Sequence, residues 1–186
     1  MATNSQTRTL SRVFPISFST TAQIVLLLLV GFAATWLHYK FRIPLRMPGR
    51  HGLEFMLLVM GARYLSNLRL ATSVTVTGSI LTTLIPGFGF TDPMLPYIYV
   101  GMGIFVDFVW YRWPKQLVWI PVIALLGGLT YTLIPLTRIV FSSITGFYYG
   151  SLATGFMFPV LTHFAFGFIG TLAGVGAASG LRKLKK

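Results

Sequence analysis

Six apolar runs divide this sequence, and short polar breaks between them hold most of its charged residues. The runs cover about residues 22–37, 53–65, 70–84 and 94–110, then 117–136 and a last stretch within 148–181. Hydrophobic residues make up 54% of the 186 positions and charged residues only 10%, which is more apolar surface than a soluble core of this length can bury. The pattern predicts a protein that has lipid as its solvent.

The runs are continuously apolar instead of alternating, so they predict membrane helices and not the strands of a membrane barrel. One crossing takes about 20 residues, and six crossings with short loops account for the chain. We therefore expect an all-α, polytopic integral membrane bundle of about six transmembrane helices, formed by residues 21–181. Residues 1–20 are expected to be a cytoplasmic tail, although their Ser, Thr and Arg content also fits an organelle transit peptide. Residues 182–186 are expected to form a basic cytoplasmic tail.

Three finer expectations concern the helices. The third run is rich in Thr and Ser, so it should face protein neighbours and not lipid. The last stretch is too long for one crossing, which predicts an irregular or surface-lying piece near 141–156 and a helix that begins around Pro159. Small residues four apart in that helix allow close backbone contacts, either within the bundle or with a partner protein.

The distribution of cations predicts the orientation. Of the 15 Lys and Arg residues, ten fall at the end of the bundle that carries the termini and five at the other end. The positive-inside rule then places both termini in the cytoplasm. Four of the five outer cations lie in the single loop "HYKFRIPLRMPGRHGLEF" (residues 38–55). Because this loop keeps cations against the usual topology bias, we expect them to have a function there.

Several classes of function receive no support from the sequence. There is no cysteine, which excludes disulfides, thiolate metal ligands and cysteine nucleophiles. The net charge is +12, but the basic residues flank apolar runs and do not interleave with exposed aromatic residues. Nucleic-acid binding is therefore not expected. The motifs G-x-S-x-G, H-E-x-x-H and Walker A are missing. We expect no enzyme activity and no cofactor.

The polar loop also contains the most concentrated ionisable chemistry. His51 and Glu54 are three residues apart, and Arg50 and Glu54 are four apart, so these side chains would share one face of a helix. They could recognise a ligand, or bind a divalent metal together with His38. Alternatively, Glu54 only offsets the helix dipole and pairs with Arg50.

Two further ionisable residues lie inside apolar runs. Asp107 needs a partner there, so it either pairs with a nearby cation at the inner interface or takes part in transport. His163 is expected to form a hydrogen bond with a neighbouring helix more readily than to act as a base.

The order of these features resembles a known family. A short first apolar run, the outer loop "FRIPLRMPGRHGLEFM", a small-residue third run that ends in Pro-Gly and a glycine-rich last helix with a basic tail are similar to the substrate-binding membrane subunit (S component) of energy-coupling factor transporters. These are bacterial six-helix proteins that capture vitamins. The likeness covers about residues 20–184.

The resemblance implies a function and a site. It implies uptake of a vitamin or similar micronutrient across the bacterial cytoplasmic (inner) membrane, with a transmembrane coupling subunit and ATPases as partners. The substrate would bind near the outer face, close to Arg46, Arg50, His51 and Glu54, with Tyr97 and Tyr99 as stacking aromatics. Family members dock through an Ala-x-x-x-Ala pair in the first helix, where this chain has Gly31 and Thr35.

Two other functions stay open. A membrane scaffold or assembly protein would bind its partner through the last helix, at Gly174 and Ala177. An autonomous channel or secondary carrier would need no partner at all. The substrate and the oligomeric state do not follow from the residues.

Overall fold

A computed structural model of the chain describes residues 19–40 and 47–184. These residues form seven α-helices and contain no β-strand, which confirms the expected all-α class. The helices are α1 (Thr20–Lys40), α2 (Gly52–Leu65), α3 (Ala71–Thr83), α4 (Leu95–Arg112), α5 (Ile120–Tyr131), α6 (Leu133–Thr145) and α7 (Met157–Lys183). Only Thr132 separates α5 from α6, so the two make one run and the described chain builds six helical rods.

Three of these rods are long and apolar enough to cross a membrane. They are α1 with 21 residues, the α5–α6 run with 26 and α7 with 27. Helices α2 and α3 have 14 and 13 residues, which is fewer than the roughly 20 that a full crossing takes. The lengths and compositions of these three rods are therefore compatible with a membrane protein.

Proline and glycine mark the ends of several helices. Pro96 and Pro121 lie in the first turns of α4 and α5, where a missing N–H costs no hydrogen bond. Gly146 ends α6 with a left-handed φ of 72°. The irregular piece predicted near 141–156 is present but shorter, because α6 continues to Thr145. Helix α7 begins at Met157, two residues before the predicted Pro159.

Successive rods alternate in direction. In α1 and α3, Leu28 packs near Gly78 and Phe32 near Thr82, so these two helices are parallel. The bundle therefore has two distinct ends. The terminal end contains the start of α1, residues 66–70 and 113–119, and the end of α7. The cavity end contains residues 38–40, 47–51, 84–94 and 146–156.

Helices α1 and α3 approach each other through glycine. A methyl group at Gly31 would overlap the backbone carbonyl of Thr75, and one at Gly78 would overlap that of Leu28. The Ser79 hydroxyl donates a hydrogen bond to the carbonyl oxygen of Gly31 at 2.9 Å. Most polar residues of α3 thus face protein, as expected, and Thr77 is exposed. Four of them are fully buried: Thr72, Thr75, Ser79 and Thr82.

Helices α2 and α7 form a second parallel pair of the same kind. A methyl group at Gly170 would overlap the carbonyls of Gly52 and Leu53, and one at Gly174 would overlap that of Leu57. The inner face of α7 therefore packs within the chain. Its outer face also carries small residues, and these are exposed: Ala173, Gly176, Ala177 and Gly180.

This packing corrects most of the predicted partner-docking residues. Gly31, Thr35 and Gly174 are buried in contacts within the chain, so a second protein has no access to them. Sequence alone does not distinguish an inner helix face from an outer one, and small residues allow close contacts on either face. Of the four predicted positions, only Ala177 is exposed.

We predict that Gly78→Ala destabilises the protein by about 1–3 kcal/mol, because its methyl group would force α1 and α3 apart. Gly101→Ala is the matched control, since Gly101 lies in α4 with no atom within 4 Å of an added Cβ. Alanine there should be neutral or slightly stabilising. Thermal unfolding of the purified variants, followed by circular dichroism, measures both. Equal losses in the two variants would contradict the assigned contact.

Candidate functional site

A cavity of about 240 Å³ lies at the cavity end of the bundle. Five helices (α1, α4, α5, α6 and α7) and two loops contribute to its walls. The lining residues are His38, Gly49, His51, Gly89, Phe90, Thr91, Asp92, Leu95, Tyr99, Tyr131, Ile134, Arg138 and His163. The set includes every histidine of the sequence, although the three lie far apart along the chain.

Two of the histidines stack on each other. The rings of His38, from the end of α1, and His51, from the residue before α2, have centroids 3.6 Å apart and are inclined by 25°. Nδ1 of His51 lies 2.8 Å from Oε1 of Glu54. A carboxylate accepts only from the protonated nitrogen, so Nδ1 carries hydrogen and Glu54 sets the orientation of the ring. This confirms the shared helix face predicted for His51 and Glu54.

The third histidine, His163, is buried in the second turn of α7. Its Nδ1 donates to the carbonyl oxygen of Pro159 at 2.7 Å, which leaves Nε2 as an acceptor. The partner is thus on its own helix and not on a neighbouring one as expected. The ring stacks on Tyr131 with centroids 5.2 Å apart. Gly49, at a φ of 80°, passes so close to this imidazole that a side chain there would collide with it.

A charged cluster that the sequence reasoning did not single out forms another wall. Nε of Arg138 donates to Oδ2 of Asp92 at 2.8 Å, and the Tyr149 hydroxyl donates to Oδ1 at 3.1 Å. The backbone N–H of Met94 donates to the same Oδ1 at 2.9 Å. The guanidinium also lies over the Tyr149 ring, 5.4 Å from its centroid. Asp92 is one of only three acids in the sequence, and this scarcity was the available signal.

The Tyr149 hydroxyl keeps its proton throughout the neutral range. Burial and the adjacent Asp92 carboxylate, which the hydroxyl itself contacts, raise the pKa of Tyr149 to about 12. The link between the 146–156 segment and Asp92 is therefore a stable donor–acceptor pair.

The structure brings together only some of the predicted substrate-binding residues. His51 and Tyr99 line the cavity, and Glu54 lies behind His51. Arg50 is partly buried beside His51 but does not line the cavity. Arg46 lies outside the described residues.

Tyr97 requires a correction. Its side chain is 72% exposed and lies outside the cavity, whereas Tyr99 is only 3% exposed. The two positions are separated by about 200° around α4, so they cannot face the same site. Tyr99 instead stacks on Phe55, with ring centroids 5.0 Å apart.

The three histidines do not converge on one point. Within residues 19–40 and 47–184, no group of three or more His, Asp or Glu side chains is placed to hold a metal ion. The imidazoles are engaged in stacking and in bonds to Glu54 and Pro159 instead. The arrangement suits recognition of an organic molecule better than metal binding.

A second polar centre lies at the terminal end, around Asp107. Oδ1 accepts from the backbone N–H of Thr72 at 3.1 Å, and Oδ2 accepts from the N–H and hydroxyl of Ser73, both at 2.8 Å. Asp107 thereby caps the first turn of α3 from the neighbouring helix α4. Arg63 completes the centre, with Nη1 at 3.4 Å from Oδ1.

Arg63 makes its polar contacts through a single nitrogen, and its Nε is buried without a hydrogen-bond partner among the described residues. Its Nη1 donates to the carbonyl oxygens of Leu68 and Arg69, and its guanidinium lies 4.8 Å from the centroid of the Trp110 ring. Both members of the ion pair are about 95% or more buried. The ion-pair interpretation of Asp107 is confirmed, with a partner from α2. Since the Asp107 carboxylate is engaged in capping α3 and in pairing with Arg63, we assign this centre a structural role.

We predict that Asp107→Ala lowers the free energy of unfolding by about 3–5 kcal/mol, because it leaves Arg63 buried without its anion and α3 without its cap. Combining it with Arg63→Met should cost less than the sum of the two single substitutions. A double-mutant cycle on purified protein measures this coupling. Strict additivity would show that the two side chains do not stabilise each other.

Comparisons with models of known protein families, with curated proteins and with solved structures find no match for this chain. The resemblance to energy-coupling factor S components therefore stays a prediction. The chemistry of the cavity has to carry any functional conclusion.

Proposed function

We propose that this protein is an integral membrane protein that binds a small molecule in the cavity and serves as the substrate-binding subunit of an uptake system. The observation that carries the proposal is a cavity lined by rings and by a few polar groups, at one end of an apolar bundle. Ligand sites in proteins have this composition. The proposed location is the bacterial cytoplasmic membrane.

The outer surface supports a membrane location. Large apolar side chains are exposed along the helices, among them Leu29 of α1, Ile104 of α4 and Leu129 of α5. In water such a surface would drive aggregation, whereas lipid solvates it. We propose six crossings, in which the shorter α2 and α3 fit by local thinning of the bilayer or by their flanking loops.

The charges support an outward-facing cavity. The described terminal end carries six cations: Arg63, Arg69, Arg112, Lys115, Arg182 and Lys183. The described cavity end carries three: Lys40, Arg50 and Arg138. By the positive-inside rule the terminal end is cytoplasmic, and the cavity then faces the outside.

The polar groups of the cavity suit non-covalent binding. Asp92, Arg138 and Tyr149 hold one another, and Glu54 holds His51. This pre-organisation lowers the cost of ordering side chains around a ligand. We therefore propose capture of an unmodified molecule, whose passage inward is energised by a partner ATPase module.

A cavity-filling substitution tests the binding site. Thr91 lines the cavity and is exposed, so Thr91→Trp should fill the space without disturbing the core. We expect protein released gently from detergent to carry a co-purified small molecule in native mass spectrometry, and Thr91→Trp to lose it. Tyr97→Trp is the matched control, because Tyr97 is exposed outside the cavity.

Loss of the ligand from both variants, or from neither, would argue against binding in this cavity. Uptake itself is tested in cells or liposomes. Transport by the purified protein alone would favour an autonomous carrier over a subunit that depends on an ATPase.

A scaffold function is the second candidate, and the exposed small residues on the outer face of α7 favour it. Among them, Gly176 and Gly180 have no atom within 4 Å of an added Cβ, so another helix has room to approach closely. The same face would also suit a transport partner.

Substitution on the outer face of α7 distinguishes the roles of this helix. We predict that Gly176→Leu leaves the stability and ligand binding of the isolated protein unchanged, because that position is open. It should weaken association with any membrane partner that co-purifies. Gly174→Leu is the contrast, since it would collide with Leu57 and unfold the bundle. If Gly176→Leu retained the partner, docking through this face would be ruled out.

A further inference from the structure

We infer that the ligand of this cavity is a small planar anion whose carboxylate, or an equivalent acidic group, is held by Arg138. This inference rests on the proposed function, because it assigns a chemical class to the molecule that the cavity binds. Its support comes from the size of the cavity, from the rings of its walls and from the way its charges are distributed.

The size of the cavity suits a small ligand. Its volume of 240 Å³ exceeds the roughly 150 Å³ of an engineered protein cavity that binds benzene. Such a space accepts a molecule of about ten non-hydrogen atoms, which is a single ring with one or two substituents.

The walls favour a flat molecule. Six of the thirteen lining residues carry rings: His38, His51, Phe90, Tyr99, Tyr131 and His163. Several of these rings are already fixed by stacking, as His38 is on His51 and His163 is on Tyr131. Rigid ring faces complement a planar ligand at little cost in side-chain entropy.

Arg138 has hydrogen-bonding capacity left over. Its Nε donates to Asp92 and its face lies over Tyr149, which fixes the plane of the guanidinium. Its two amino groups, Nη1 and Nη2, donate no hydrogen bond to any residue that the structure describes, although the side chain lines the cavity. A guanidinium fixed in this way matches a carboxylate or phosphate oxygen pair.

The acids near the cavity are not available to a cationic ligand. Asp92 already accepts from Arg138, Tyr149 and the N–H of Met94. Glu54 accepts from His51 through Oε1, and its other oxygen, Oε2, is buried and does not line the cavity. The groups that remain for a ligand are therefore the guanidinium and the imidazoles, and the fixed positive charge of the guanidinium favours an anion.

Binding of three matched probes to the purified full-length protein tests the inference. Benzoate, benzamide and benzylamine have similar shapes and are anionic, neutral and cationic, respectively, at pH 7. We expect benzoate to bind most tightly in saturation-transfer NMR titrations. Arg138→Gln should weaken the binding of benzoate by about tenfold or more, which is the loss expected when charge-assisted hydrogen bonds are removed. It should leave the affinity for benzamide unchanged.

Lys40→Gln is the matched control for net charge, since Lys40 is an exposed cation at the same end of the bundle. It should leave benzoate binding within about twofold, as expected for a screened surface charge. Arg138→Lys keeps the charge but not the planar fork, so it should bind benzoate with intermediate affinity. Arg138→Lys also keeps the inference testable if Arg138→Gln does not fold.

The outcomes separate this inference from the proposed function. Equal losses of benzoate in the Arg138 and Lys40 variants, or preferred binding of benzylamine, would overturn the anion assignment. So would a co-purified neutral or cationic molecule that is lost on Thr91→Trp, although that result would support the cavity as a binding site. If Thr91→Trp changed neither probe binding nor co-purification, the proposed function itself would fail.

Discussion

The close backbone contacts of two parallel helix pairs, α1 with α3 and α2 with α7, are the constraint on which the rest of this bundle depends. In lipid, apolar side chains gain little by leaving their solvent, so helices associate through packing and hydrogen bonds. Glycine permits that packing here, at Gly78 against Leu28 and at Gly174 against Leu57. These contacts set the register of rods that are not neighbours in sequence, and the connecting rods then bring the polar loops to common ends.

The register places two polar centres at opposite ends of the molecule, and only one of them, around Arg138, lines the cavity. Around Asp107, four donors meet one carboxylate within a packed interior, which is the arrangement of a structural cap. At the other end, the Arg138 guanidinium uses only part of its hydrogen-bonding capacity beside a cavity. A buried carboxylate that meets several donors stabilises the fold, whereas a fixed guanidinium with spare donors beside a cavity is suited to bind another molecule.

Part of this site was accessible from the sequence and part was not. The pairing of His51 with Glu54 follows from a spacing of three residues on one helix, which is a local property. The cluster of Asp92, Arg138 and Tyr149 joins residues about 46 and 57 positions apart, so no local pattern announces it. Tyr97 shows the converse error, because two aromatic residues near one site in sequence face opposite sides of a helix.

The sequence by itself determined the helical class, the approximate limits of the rods and the protein-facing side of α3. It also determined the apolar composition that makes the chain compatible with a membrane. Each of these depends on hydropathy, on proline and glycine, or on hydroxyl content within a short window of the chain. Only the tertiary structure decided that all three histidines line one cavity, and that α7 turns Gly174 inward and Ala177 outward. The physical reason is that rotation and register of packed helices are set by contacts between distant runs, which the composition of either run does not contain.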